Sequence, residues 1–148
     1  MFKRYLALLL IAIVLAACEA VNPQPTVTPI PFDRFGVQDV FTTFARAGLP
    51  IGGLEQDVTI SRDGPRVLKD RWVFEIPRVA PAGGQVIIFA DSGQRAEWET
   101  YIARLRDDAE TRRDVIYTYF HQNIMLQLNT GLTNQEAASY RDALLSLE

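Results

Sequence analysis

The sequence predicts an α+β domain in which an antiparallel sheet of about five strands carries three helices packed mainly on one face, in the order α-β-β-β-α-β-β-α. Three observations predict it. Apolar residues recur at helical spacing in three separated segments, and period-two or continuous apolar runs of strand length lie between them. No regular strand–helix alternation and no glycine-rich phosphate loop accompanies them, which argues against a parallel, doubly wound sheet.

Val37, Val40, Phe41 and Phe44 fall at i, i+3, i+4 and i+7, one stripe of a first helix that Gly48 and Pro50 stop. Leu54, Val58 and Ile60 give a broken alternation and predict a first strand over residues 54–60, turned by Asp63-Gly64-Pro65. Trp72, Phe74 and Ile76 alternate with Arg71, Val73 and Glu75, a strand with one buried face ended by Pro77. The apolar run Gln85-Val86-Ile87-Ile88-Phe89-Ala90 reads as a central strand, buried on both faces and paired with its predecessor as a hairpin. Asp91 or Ser92 caps the next helix, whose stripe is Trp98, Tyr101, Ile102 and Leu105. Residues 114–120 and 124–129 then predict two strands joined near His121-Gln122-Asn123. A last helix begins at a capping box of Thr133 and Glu136, with Leu132 placed to pack on Ala137 and the stripe continuing through Tyr140, Leu144 and Leu147.

Ahead of this domain, Lys3 and Arg4 supply a positive start, residues 5–14 an apolar core, and Leu15-Ala16-Ala17-Cys18 a small-residue cleavage site before the only cysteine. The apolar stretch is short for a transmembrane helix, which needs about 20 residues. The box resembles that of bacterial lipoprotein signals, and the resemblance implies cleavage before Cys18 and a lipid on its sulfur. Pro23, Pro25, Pro29 and Pro31 follow among Asn, Gln and Thr, a composition that favours extended polyproline II over packing. The organisation expected is therefore a signal peptide over 1–17, a lipidated cysteine and Pro-rich tether over 18–32, and one globular domain over 33–148.

Removing the leader takes two of the 15 basic residues and none of the 18 acidic ones, leaving a formal charge near −5. That balance disfavours nucleic acid and electrostatic docking on anionic lipid. One cysteine allows no internal disulfide, no cysteine zinc site, no iron–sulfur cluster and, once lipidated, no thiol nucleophile.

A wider resemblance is carried by Gly83-Gly84-Gln85-Val86-Ile87-Ile88-Phe89-Ala90-Asp91, by Tyr101-Ile102, by Asn123-Ile124-Met125-Leu126-Gln127-Leu128, and by Leu132-Thr133 with Ala137, Tyr140 and Ala143-Leu144. With Ala47-Gly48-Leu49-Pro50 after the first helix, these resemble uncharacterised small bacterial surface lipoproteins. The family often has glycine where Asn123 stands. The shared positions are core and cap residues, and the resemblance implies a fold and no catalytic residue, since the family has no assigned activity.

Candidate chemistry is sparse. His121, the only histidine, has no second histidine or cysteine to complete a transition-metal site, and no Gly-x-Ser-x-Gly elbow supplies a nucleophile, so it reads as a solvated turn residue. Asp107, Asp108 and Glu110 offer carboxylates for calcium, but without the Asp-x-Asp-x-Asp-Gly spacing and among Arg106, Arg112 and Arg113 they read as paired surface charge. No catalytic residue, metal or cofactor is expected. On the strand over 114–120, Val115, Tyr117 and Tyr119 share one face and Ile116, Thr118 and Phe120 the other. The Tyr117 and Tyr119 face is either an open contact patch or a face covered by a helix.

The function expected is a non-catalytic, lipid-anchored extracytoplasmic binding or protein-interaction module of the bacterial envelope. Its partners are the membrane, through Cys18, and an envelope protein. The alternative is a lipoprotein that captures a small ligand for a transporter or sensor, which needs a pocket near the aromatic side chains. Glu19 is not the aspartate linked to inner-membrane retention, so in a two-membrane cell the resemblance implies the outer membrane.

Overall fold

A computed structural model describes residues 30–57, 59 and 62–148. The leader, Cys18, all but the last residues of the tether, and Val58 and Ile60 lie outside the described residues. The elements are α1 (Val37–Arg46), β1 (Gly52–Gln56), β2 (Asp70–Glu75), β3 (Gly83–Ile88), α2 (Ser92–Asp107), β4 (Thr118–His121), β5 (Ile124–Leu128) and α3 (Asn134–Leu145). They follow the α-β-β-β-α-β-β-α order and build one five-stranded antiparallel sheet, ordered β1-β2-β3-β5-β4.

The central place of β3 explains its composition. Val86 and Ile88 point into a core built with α1 and α3, while Ile87 points into a second core built with α2, so both faces are dry. Strand β5 does the same, with Ile124, Leu126 and Leu128 on the first side and Met125 on the second. Two helices therefore cover one face and α2 crosses the other. Phe44, in α1, meets Phe74 of β2 and the Tyr140 ring of α3 at centroid distances of 6.1 and 5.3 Å, which locks the two-helix layer to the sheet.

The helix starts are set by side chains. Asp91 accepts from the Gln94 N–H at 2.9 Å to open α2. Thr133 and Glu136 form the expected capping box on α3, and Leu132 and Ala137 are both buried beside it.

Two strand expectations are corrected. The first strand covers Gly52–Gln56, starting two residues before the expected 54–60 and leaving Asp57 and Thr59 outside it, with Val58 and Ile60 outside the described residues; Gly53 takes a positive φ of 54° where a bulge falls between Gly52 and Glu55. A Cβ on Gly53 would sit 2.7 Å from the Glu75 side chain, which would have to move, and the positive φ adds strain to any other residue there. The predicted strand over 114–120 is split: Arg112–Val115 form a 3-10 turn and β4 begins at Thr118. Val115 is thereby carried into the α2 core, opposite to Tyr117 and Tyr119, and Ile116 is exposed. The alternation across 115–120 is a coincidence of a helical turn followed by a short strand.

Before α1, Phe32 packs against the α2-side core and Phe35 is buried with the α1 and α3 side. Buried Asn123, in the β4–β5 turn, clamps this segment: its Oδ1 accepts from the Phe35 N–H at 3.2 Å and its Nδ2 donates to the Phe35 carbonyl at 2.7 Å. Asn123 is thus a long-range staple between the β4–β5 turn and the segment before α1.

Candidate functional site

Across β3, β5 and β4 the α2-side face of the sheet is apolar along one cross-strand row and polar along the next, while on β2 Arg71 stands in the first row and Val73 in the second. The first row runs Ile87, Met125 and Phe120 on neighbouring strands, all in the core beneath α2. The next row, two residues along each strand, runs Gln85, Gln127 and Thr118. Arg71 of β2 lies diagonal to Gln85, paired with Ile87. Here the sheet borders an open groove of about 380 Å³ that Arg71, Gln85, Asp114, Gln127, Asn129 and Thr130 help to line. A second hollow of about 300 Å³ shares Arg71, Gln85, Asp114 and Gln127 and runs against Trp98, Tyr101 and Leu105 of α2. Both lie at the lower end of the usual range for small-molecule sites, roughly 300 to 1,000 Å³.

The side chains along this floor are joined in one hydrogen-bond relay. Arg71 Nε donates to Gln85 Oε1 at 2.6 Å, Gln85 Nε2 donates to Gln127 Oε1, and Gln127 Nε2 donates to the Asp114 carbonyl at 3.0 Å. Beyond β2, Arg71 Nη1 donates to the Asp57 and Thr59 carbonyls and pairs with Asp57 Oδ2 at 3.3 Å. Hydrogen bonding from Thr59, and then the Arg71 guanidinium, holds the Asp57 carboxyl below its ordinary range. Asp114 itself is exposed at the groove edge. Thr118 ends the row with a buried hydroxyl that has no hydrogen-bond partner among the described residues. Amides fixed in this way lose little further rotamer entropy when something binds to them.

The residues singled out from the sequence lie elsewhere. Tyr117 and Tyr119 are half-buried and pack against the core shared by α1 and α3. The Tyr117 hydroxyl lies 2.7 Å from Asn134 Oδ1 and 3.2 Å from the Leu132 carbonyl, and burial pushes the Tyr119 hydroxyl upward. His121 is corrected from a solvated turn residue to the half-buried last residue of β4. Its Nε2 lies 2.9 Å from the Leu147 carbonyl and its ring stacks 6.5 Å from Phe35, on the face opposite the groove. Asp108 is used locally, accepting from the Glu110 N–H at 2.8 Å, and no three His, Cys, Asp or Glu side chains gather as a metal site among the described residues.

Sequence reasoning missed Arg71, Gln85 and Gln127 as a group. A signal was present: Gln85 and Gln127 are the polar interruptions of the two most apolar strands. What they can do chemically is present fixed donors and acceptors beside an apolar wall. Comparison of the chain with protein-family models, with curated proteins and with solved structures finds no match.

Proposed function

We propose that this protein is a lipid-anchored, extracytoplasmic binding module of the bacterial envelope that captures a small ligand in the groove over Gln85 and Gln127, without catalysing a reaction. The single observation that carries the binding reading is the relay from Arg71 to Asp114: four residues from three strands and a 3-10 turn hold hydrogen-bonding groups in fixed positions on an uncovered part of the sheet. Groups of this kind beside the partly exposed Tyr101 and Leu105 are what a small-ligand site requires. The ligand-capture alternative gains over a protein partner docked on tyrosines, because Tyr117 and Tyr119 are engaged in the fold. The location is supported by the residues before the domain: the positive start, the apolar stretch, the Leu-Ala-Ala-Cys box and the prolines that follow.

The test has two parts, both on the full chain expressed in a bacterium. Metabolic labelling with a fatty-acid analogue is expected to mark the wild type and not Cys18→Ala; an unlabelled wild type or a labelled Cys18→Ala protein refutes the anchor. Native mass spectrometry of the purified protein is expected to show a small molecule retained by wild type and lost from a Gln85→Leu, Gln127→Leu double variant. Retention by both refutes the groove.

A further inference from the structure

Resting on the groove being the binding site, we infer that its ligand is a neutral, polyhydroxylated molecule, a saccharide, rather than an anion or a cation. Charge is the first argument. Among the described residues Arg71 is the groove's one cationic lining residue; its Nε and Nη1 already donate to Gln85, Thr59 and Asp57, which leaves only Nη2 without a partner there, and the exposed Asp114 stands at the opposite end of the relay. An anion site offers an uncommitted guanidinium for bidentate contact. Here each bidentate edge of Arg71 already has one donor engaged, and the charges of Arg71, Asp57 and Asp114 lean negative, which disfavours an anion.

Donor and acceptor accounting is the second. A glutamine amide has two N–H donors and two acceptor lone pairs. Gln85 accepts once from Arg71 and donates once to Gln127, while Gln127 accepts once from Gln85 and donates once to the Asp114 carbonyl. Each amide keeps one donor and one acceptor, on neighbouring strands about 4.8 Å apart. A carboxylate only accepts and an ammonium only donates, so either leaves half of these groups unsatisfied, while a phosphate ion is mainly an acceptor and brings a charge the groove does not balance. A hydroxyl does both, and a sugar ring carries several hydroxyls at comparable spacing. The third argument is the wall: the partly exposed Tyr101 and Leu105, backed by the buried Trp98, give the adjoining hollow an apolar side against which the C–H face of a sugar ring packs.

The experiment is a titration of the full chain, isotopically labelled and held in detergent, that follows the side-chain NH2 resonances of Gln85 and Gln127. The probes are maltotriose, cellotriose and chitotriose as neutral saccharides, inorganic phosphate and acetate as anions, and triglycine amide as a peptide. At least one trisaccharide is expected to shift both amides, with binding weakened tenfold or more in Gln127→Leu and unchanged in Gln122→Gly, which alters only the distant β4–β5 turn. A dispersed spectrum of Gln127→Leu checks that it folds. Shifts caused by phosphate, acetate or the peptide and by no trisaccharide overturn the saccharide assignment while leaving the groove as a binding site. Silence from every probe also overturns the assignment, and the groove itself then falls only if the mass-spectrometric test fails as well.

Discussion

Replacing Asn123 with alanine removes two hydrogen bonds that join residues 88 positions apart in the chain. Asn123 is fully buried and Phe35 is 7% exposed, so water does not readily take over the freed groups. Each buried backbone group left without a partner costs about 1 to 3 kcal/mol, and both the N–H and the carbonyl of Phe35 are left so. Allowing partial relaxation of the segment before α1, the loss is about 2 to 4 kcal/mol. At about 4 °C per kcal/mol for a domain of this size, the melting midpoint is expected to fall by about 8 to 16 °C. Circular dichroism melts of the full chain measure it. Asn123→Asp sharpens the test, since aspartate keeps the acceptor for the Phe35 N–H, loses the donor to the carbonyl, and buries a charge. It is expected to cost at least as much as alanine. Hydrogen exchange at the Phe35 amide should accelerate in Asn123→Ala more than exchange in β3. A midpoint within 2 °C of wild type, with Phe35 still protected, refutes the staple.

Thr133→Ala removes one half of the α3 capping box and is expected to cost about 1 kcal/mol in urea unfolding. Gln122 sits at φ 49°, a left-handed conformation that costs a side-chain-bearing residue about 1 to 2 kcal/mol, so Gln122→Gly is expected to be neutral or stabilising by up to about 1 kcal/mol; clear destabilisation refutes the strain. On the acid side, Asp33 beside Lys69, Asp57 beside Thr59 and Arg71, and Glu136 under the Thr133 N–H are all held below their ordinary carboxyl range. Groups depressed in the fold stabilise it fully above their unfolded titration range and lose that contribution as pH falls through their folded values. The urea midpoint is therefore expected to be flat above about pH 6 and to decline below about pH 4, and a midpoint that rises on acidification contradicts the ion pairs.

What was legible in the sequence was local. The stripe Val37, Val40, Phe41 and Phe44 is buried as its spacing predicts, and the Thr133 box starts α3, because both signals are complete within one or two helical turns. The β2–β3 hairpin was legible because its strands are neighbours in sequence. The first strand was misplaced because Val58 and Ile60 suggest an alternation, whereas the pairing runs over Gly52–Gln56, through a bulge. Residues 114–120 misled because the 3-10 turn places Val115 on the face opposite Tyr117, which an alternation counted from Val115 does not anticipate. The groove was illegible for a different reason. Gln85 and Gln127 are 42 positions apart and meet through the pairing of β3 with β5, which skips β4; nothing local specifies that neighbour relation. A polar residue in an apolar strand reads as a solvent-facing position until the strand beside it is known.

The sheet's edges bear on where a partner or ligand meets this domain. An exposed strand edge invites another chain to add to it through backbone hydrogen bonds, and folded proteins blunt such edges with bulges and charged side chains. Edge strand β1 carries its bulge at Gly53, which breaks the regular ladder between Gly52 and Glu55. At the other edge, the Tyr117 carbonyl turns inward to accept from the Leu128 N–H, so the Thr118 carbonyl turns outward, and there Arg106 donates to it at 2.6 Å. One side of the sheet is sealed by α1 and α3, with the Tyr117 hydroxyl and the His121 ring already engaged on it. Backbone pairing is thus discouraged at both edges, and the groove beside α2 is where aligned, partly exposed polar side chains from neighbouring strands meet solvent. Recognition by this domain is expected to run through side-chain amides on a sheet face rather than through strand addition.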